Sequence, residues 1–405
     1  MLPSQLLHIT LTYGSPLYIY DTATIKQQYS TLTQAFEHTN ARFFYACKAL
    51  TNISILKYIR SLGCSIDCSS IVEVQLALHA GYLPSQVLYT TNGISFEEIQ
   101  QAVAYGVHVN IDSLSNLAKF GATYGNSYPV GVRLRPNIMA GGNLKIATGH
   151  SKSKFGIPVT QLQELLAIHH KYNLHVYALH VHTGSEIKDI NTFVQVIDVL
   201  GGIVPHFEQL QVLDLGGGFK VAYKHGEQAT DIALLSQEVY KAIHALEQRV
   251  GKQLQVWFEP GKYMVSSCGY LCTQVTVVKH THNMSFASVN SGFNHLIRPM
   301  MYDAYHYIQN ISNPTGVHKL YTITGNLCET DNFATDRSIA EVSEGDILAI
   351  HNAGAYGFEM ASNYNSRYKP AEVMYYNGEA QLIREADTFD DLLRKQVIID
   401  DEVLS

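Results

Sequence analysis

Arg42-Phe43-Phe44-Tyr45-Ala46-Cys47-Lys48-Ala49 is a short apolar, aromatic run, bounded by a cation on one side and by Thr51-Asn52 on the other. That is how a buried strand reads. It ends on a lysine. A lysine at the mouth of a buried strand is expected to be desolvated, and desolvation lowers the amine pKa toward the neutral form that Schiff-base chemistry needs. The competing reading is an ordinary surface lysine at a strand end.

Working outward, the same rhythm repeats: an apolar run, a polar or glycine turn, then a helical pattern. After Phe43–Lys48 come Ser65–Cys68, Val87–Thr90, Val107–Ile111, Val130–Leu134, Val176–Val181, Val212–Leu215 and Val256–Glu259. Gly63, Gly81 and Gly106 stop the first helices, and Ser70-x-x-Glu73 and Ser95-x-x-Glu98 have the capping-box pattern. A long insertion, Asn137 to Gly156, follows the fifth run. Eight apolar runs alternating with helices predict a closed parallel (β/α)8 barrel, an α/β barrel over residues 27–267. An open doubly wound sheet is the alternative, but no Gly-x-Gly-x-x-Gly turn follows the first strand. Beyond residue 267 the strand-like runs Leu271–Lys279, Phe286–Val289, Leu320–Thr324, Ile347–Ile350 and Ala371–Tyr376 lack intervening helices. Residues 268–405 are therefore expected to form a mostly antiparallel β domain, with residues 1–26 contributing a strand near Tyr18.

The 405 residues carry a formal net charge of −7, 46% hydrophobic and 16% charged residues, and no long basic run. That composition suits a globular protein and argues against nucleic-acid or anionic-membrane partners. The N-terminus lacks a signal-peptide pattern, and no apolar run is long enough to span a bilayer. The six cysteines are scattered, and neither Cys64/Cys68 nor Cys268/Cys272 has zinc-knuckle spacing. Reduced thiols, a cytoplasmic location and no metal are expected.

Barrels gather their chemistry at the C-terminal ends of the strands. Reading those ends gives Lys48, Asp67, Asn92, Asp112, Arg135, His180-Val181-His182-Thr183-Gly184-Ser185, Gly216-Gly217-Gly218 and Glu259-Pro260-Gly261-Lys262. The glycine run lets backbone N–H groups approach an anion such as a phosphate, or makes a tight turn. Glu259 ends an apolar strand and needs a partner, either a protonated ring nitrogen or an arginine or lysine. His182 has the shape to stack on a planar ring. It is otherwise a core histidine, or with His180 a metal pair. A Schiff-base lysine, a phosphate cradle and a carboxylate for a ring nitrogen are together the requirements of pyridoxal 5'-phosphate.

The stretches Tyr45–Ala49, Ser153–Gly156, His182–Ser185, Asp214–Phe219, Glu259–Gly261, Leu296–Pro299, Cys328–Thr330 and Ala353–Arg367 span nearly the whole chain. Together they resemble the alanine-racemase-like (fold type III) pyridoxal phosphate decarboxylases, most closely the diaminopimelate decarboxylase branch, to which the block AGAYGFEMASNYNSR is specific. The resemblance implies a barrel plus β domain and a homodimer with shared active sites. It also implies decarboxylation of an amino-acid substrate, meso-2,6-diaminopimelate, to L-lysine and CO2, the last step of lysine biosynthesis. On matching positions, Lys48 is the Schiff-base lysine and His182 stacks on the pyridine. Ser185, Gly217, Gly218, Gly261 and Lys262 lie at the phosphate, and Glu259 meets the pyridine nitrogen. Arg298 and Tyr302 bind the distal carboxylate and Glu329 the distal ammonium. Cys328 reprotonates Cα, and Tyr356 lies beside cofactor and substrate.

The chain departs from the family pattern at Leu50, where asparagine is usual, and at Lys262, where arginine is usual. Lysine keeps the charge but loses the bidentate fork. It departs also in Gly325–Asn332 and in Asn290–Phe293. The alternatives are a same-fold decarboxylase for carboxynorspermidine, ornithine or arginine, a metal-dependent barrel hydrolase using His180 and His182, and a non-catalytic homologue.

Overall fold

A computed structural model describes residues 1–90, 92–138, 149 and 153–404, so most of the insertion Asn137 to Gly156 lies outside the described residues. The chain divides into two compact units, Thr24–Ser266 and Met1–Ala23 with Ser267–Ser405.

The first unit is a closed barrel of eight parallel strands: β1 (Ala41–Ala46), β2 (Ser65–Cys68), β3 (Val87–Thr90), β4 (His108–Ile111), β5 (Val130–Arg135), β6 (Val176–His180), β7 (Val212–Asp214) and β8 (Gln255–Phe258). They pair in the order β4-β3-β2-β1-β8-β7-β6-β5, and β5 returns to β4 to close the ring. The period of two along each strand sorts the side chains. On β1, Phe44 joins Leu88, Tyr177, Ala178, Val212 and Trp257 in one buried cluster. Phe43 points the other way, against Phe36 of the preceding helical segment and Phe258 of β8. Continuing the same parity toward the C-terminal ends brings a second, polar set into the barrel: Asp67, Thr90, Asn110, Arg133, His180, Asp214 and Glu259, all buried. The strand registers match these levels, with Ala46 opposite Asp67 and His180 opposite Asp214. Gly131 is part of the layering, because a Cβ there would lie 1.9 Å from Asn110 Oδ1.

Two local expectations change. Lys48 is not on β1 but on a 3₁₀ turn, Cys47–Ala49, and its side chain is exposed rather than desolvated. The turn carries it out of the strand row to the open barrel mouth. Of the two capping boxes, Ser70 accepts from the Glu73 N–H at 3.1 Å, but Ser95 makes no cap bond to its helix. Glu98 instead accepts from the buried Tyr89 Oη at 2.6 Å.

The second unit is a nine-stranded, mostly antiparallel sheet. Its long central strand, Gly269–His280, pairs with Leu17–Asp21, Ser285–Val289 and Ile347–Ile350. Leu17–Asp21 also pairs in parallel with Ala371–Tyr376, so this N-terminal strand is interior to the sheet. The periodicity did not reveal the helix Pro3–Tyr13, which lays Leu6 and Ile9 on Leu17, Ile19 and Ile347. Among the described residues no helix is long and apolar enough to cross a membrane.

His295 is buried in this unit between Ser291 Oγ (3.0 Å) and the Tyr368 carbonyl (2.9 Å), and burial pulls its pKa down to about 4. An unfolded histidine takes a proton near pH 6.5, so His295 adds stability that is complete above that pH and declines as the pH falls toward 4. Asp67 and Asp214 have raised pKa values and tilt the whole protein the other way, so a variant must isolate the effect. Between pH 7.5 and 5, the wild type is expected to lose about 2 kcal/mol more unfolding free energy than His295→Gln in urea titrations. Equal losses would remove His295 from the acid response.

Candidate active site

The barrel mouth is built by the turns that follow β1, β6, β7 and β8. Glu259 is the residue after β8, carried inward by the parity that buries Trp257, and it is only 7% exposed. Its Oε1 lies 3.4 Å from His180 Nε2 and 3.5 Å from Thr90 Oγ1. Burial pushes the Glu259 carboxyl up, but the His180 contact and the Lys48 charge outweigh it and hold it well below the usual carboxylate range. Burial, with Arg133 and Lys48 beside it, lowers the His180 pKa against the pull of Glu259. An ionised Glu259 and a neutral His180 do not make an ion pair. An imidazole with no water around it and an arginine in its layer stays neutral, so the contact is an N–H facing an anion. Burial, then Glu259, pushes the Asp67 and Asp214 carboxyls up.

His182 stands on the loop after β6. Gly217 donates its N–H to His182 Nδ1 at 3.2 Å, which makes Nδ1 the acceptor and puts the ring proton on Nε2. Burial, with Arg133 next, lowers its pKa to about 3, so the ring is a neutral plane over a wide pH range. His182 does not join His180 as a pair. The group that converges with His180 is Asp214 and Glu259, with one polar atom of each within 4.8 Å of the others.

The glycine run is forced by close backbone approach. A Cβ on Gly217 would sit 2.1 Å from the Glu259 carbonyl oxygen, and one on Gly218 would sit 2.1 Å from the Gly184 carbonyl oxygen. Gly218 O accepts from Ile187 N–H at 2.9 Å, which locks the run to the loop carrying Gly184 and Ser185. Gly217→Ala is expected to cost about 1–3 kcal/mol of barrel stability and to weaken binding of any ligand held by the loop. Thermal unfolding and equilibrium dialysis check it, and unchanged values in both would refute this packing.

Gly261 packs on the turn that carries Lys48: a Cβ there would lie 3.1 Å from Ala46 Cβ and 3.5 Å from Ala49 Cβ. Lys262 is buried and pairs with Glu186, the residue after Ser185, so part of its charge is already met by a carboxylate. Sequence reasoning passed over Glu186, Arg133 and Asp214 as site residues. Arg133 had a signal: it is a cation in the middle of the apolar run Val130–Leu134.

In the second unit, Cys328 and Glu329 lie on the turn between strands His318–Thr324 and Asn332–Ala340, and both are exposed. Asn365 Oδ1 accepts from Cys328 N–H at 3.1 Å, and Tyr364 Oη donates to Glu329 Oε1 at 2.7 Å. Cys328, Asn326, Asn365, Ser366, Arg367 and Tyr368 line one cleft of about 640 Å3. Two sequence blocks far apart in the chain, Cys328–Thr330 and Ala353–Arg367, therefore meet. Tyr356 has a left-handed backbone, φ 56°, which is uncommon for an aromatic residue and is typical of functional turns. Arg298 is 6% exposed and begins the short helix Arg298–Tyr302, which ends on the half-buried Tyr302 and packs on Asn332–Ala340.

The barrel residues fit pyridoxal phosphate. A buried carboxylate at the floor of the barrel mouth, Glu259, suits a protonated ring nitrogen. Buried His180 Nδ1, Asp67 Oδ1 and Asp214 Oδ2 have no hydrogen-bond partner among the described residues, marking a polar floor rather than a filled core. A neutral His182 ring and a glycine-rich turn complete the set.

The comparisons with known proteins agree. The sequence model of the pyridoxal-binding domain of pyridoxal-dependent decarboxylases matches residues 22–266. A diaminopimelate decarboxylase of Methanothermobacter thermautotrophicus is 36% identical over 395 residues, covering 95% of this chain and 92% of its own. One of Campylobacter jejuni is 32% identical, covering 94% of this chain and 95% of its own. The crystal structure of the Helicobacter pylori diaminopimelate decarboxylase, complexed with L-lysine, superposes with a TM-score of 0.87 at 31% identity, covering 96% of this chain and 98% of that one. With the barrel, the Lys48 turn and the buried Glu259 in place, the chain belongs to the pyridoxal-dependent decarboxylases, in the diaminopimelate decarboxylase family.

Proposed function

We propose that this chain decarboxylates meso-2,6-diaminopimelate to L-lysine and CO2 with pyridoxal phosphate, using Lys48, Glu259 and His182 of the barrel and Arg298, Tyr302, Glu329, Cys328 and Tyr356 of the β unit. One observation carries the reading: a buried carboxylate, Glu259, ends a strand inside a barrel whose mouth presents Lys48. The relatives' reaction supports the substrate.

The cofactor, when bound, supplies a protonated ring that takes up the electron pair left when CO2 departs. Glu259 accepts the ring-nitrogen proton in a charge-assisted hydrogen bond and keeps that nitrogen protonated. His182, a neutral ring, would lie against the cofactor without adding positive charge. Lys48 Nζ would be its covalent anchor and the amine that the substrate's amine competes with. Ser185 and the N–H of Gly218 would bind the phosphate; the Gly217 N–H is already given to His182, so Gly217, with Gly261 and Lys262, would shape that loop. Cys328 Sγ moves a proton to Cα once CO2 has gone. Arg298 offers a planar fork to the distal carboxylate, with Tyr302 beside it, and Glu329 holds the distal ammonium.

We also infer that the chain works as a homodimer with shared active sites, in the cytoplasm. All six cysteines are free thiols, which supports a reducing compartment. The test is an absorbance spectrum of purified protein with CO2 release followed after adding meso-diaminopimelate, ornithine, arginine or carboxynorspermidine. A borohydride-sensitive cofactor band with CO2 from diaminopimelate supports the reading. A band with CO2 only from another substrate overturns the substrate assignment, and light scattering across a dilution series tests the dimer.

A further inference from the structure

Asp214 sits at the end of β7 between two features of the proposed site. Its Oδ1 accepts the N–H of Gly216 at 2.9 Å, the first residue of the glycine run. Its Oδ2 is buried and meets no hydrogen-bond donor among the described residues, and Glu259 is its carboxylate neighbour. A carboxylate oxygen of Asp214, one of Glu259 and a ring nitrogen of His180 lie within 4.8 Å of one another, and Asp214 has no solvent exposure. Two carboxylates enclosed this closely do not both ionise. The proton goes to the one less supported as an anion. Glu259 has His180 Nε2 and Thr90 Oγ1 beside it, and feels the Lys48 charge. Asp214 has one backbone N–H. The groups facing the pair are Asp67, Arg133, Lys48, His180 and His182, and the cations among them act more strongly on Glu259.

We propose that Asp214 is a positioning residue: its Oδ2–H donates to the Glu259 carboxylate while its Oδ1 holds Gly216, so one side chain ties the ring-nitrogen acceptor to the phosphate-binding turn. The proposal rests on Glu259 being the ring-nitrogen partner. It assigns Asp214 a carboxylic-acid form at neutral pH, which burial and the Glu259 charge both favour. Its consequence is that Glu259 stays in one rotamer and one charge state before the cofactor arrives.

Asp214→Asn tests this directly, because the carboxamide donates permanently to Glu259 and its carbonyl still accepts from Gly216. Apoprotein carrying Asp214→Asn is expected to bind pyridoxal phosphate within about threefold of wild type, whereas Asp214→Val, with neither bond, is expected to bind about tenfold more weakly. The infrared difference between wild-type and Asp214→Asn apoprotein is expected to show a protonated-carboxyl C=O stretch at neutral pH, a readout that a merely structural role does not supply. An ionised-carboxylate signal there overturns the proposal, as does Asp214→Asn binding as weakly as Asp214→Val with both folded by circular dichroism. If Asp214→Val does not fold, the infrared difference and the asparagine affinity decide. Glu259→Gln separates the two readings. If it binds the cofactor as wild type does, the ring-nitrogen role fails, while the Asp214 band still reports on its proton.

Discussion

Lys48→Ala is expected to abolish covalent retention of pyridoxal phosphate and to lower kcat on the order of 10^4-fold or more. The lysine is placed for it. Cys47–Ala49 forms a 3₁₀ turn at the end of β1, which leaves the lysine exposed at the mouth while its charge reaches Asp67, Glu259, His180 and His182. Lys262, the lysine on the turn after β8, is instead engaged with Glu186. Thermal unfolding of Lys48→Ala beside wild type separates lost chemistry from lost stability, because the lysine charge also acts on the buried carboxyls. Lost activity in a folded Lys48→Ala protein then reads as chemistry and not as unfolding. Wild-type protein reduced with borohydride carries cofactor mass on the peptide containing Lys48, and the variant carries none. Mass on another peptide, or more than about a tenth of wild-type turnover, would remove Lys48 from the reaction.

The barrel was legible because its strands are buried on both faces. Phe43-Phe44-Tyr45 and Val256-Trp257-Phe258 announce themselves as apolar runs, and the glycines and caps between runs mark the turns. Strand ends then list the site, which is why Lys48, His182, Gly217 and Glu259 emerge from counting. What the sequence hides is pairing across the barrel. His180, Asp214 and Glu259 converge from three strands, and nothing in one strand's pattern says that two of these carboxyls share an enclosed space. The apolar run around Lys48 predicts a desolvated lysine; the turn that lifts it out of the strand is a tertiary fact, packed on Gly261. Lys262 was read as a weakened arginine, and its partner Glu186 lies on a different turn. In the β unit the strands Ile308–Asn310, Asn332–Ala340 and Glu379–Arg384 and the helix Pro3–Tyr13 are not predicted by pattern, for they are short or weakly patterned and held by their neighbours. The blocks around Cys328 and Ala353–Arg367 were legible only through family resemblance. Their meeting in one cleft gives the resemblance a local physical basis.

Arg298→Leu is expected to lower kcat/KM for meso-diaminopimelate about 10^3-fold or more while leaving pyridoxal phosphate content unchanged. The two effects separate because Arg298 belongs to the β unit, whereas Lys48, Gly217 and Glu259 belong to the barrel. Arg298 is only 6% exposed, so circular dichroism and cofactor content establish that Arg298→Leu is folded before its kinetics are read. Leucine removes the fork that fits a distal carboxylate, and it does so without adding a competing charge. The loss should therefore be larger for diaminopimelate than for an amino acid that ends in an amine alone. Arg298→Lys keeps the cation but not the paired N–H geometry, and an intermediate loss of about tenfold is expected. The order wild type, lysine, leucine separates recognition of a planar carboxylate from a general need for positive charge. If the lysine variant equals wild type, charge alone suffices. If the leucine variant equals wild type, the distal carboxylate is bound elsewhere, and Arg298 is a buried structural cation.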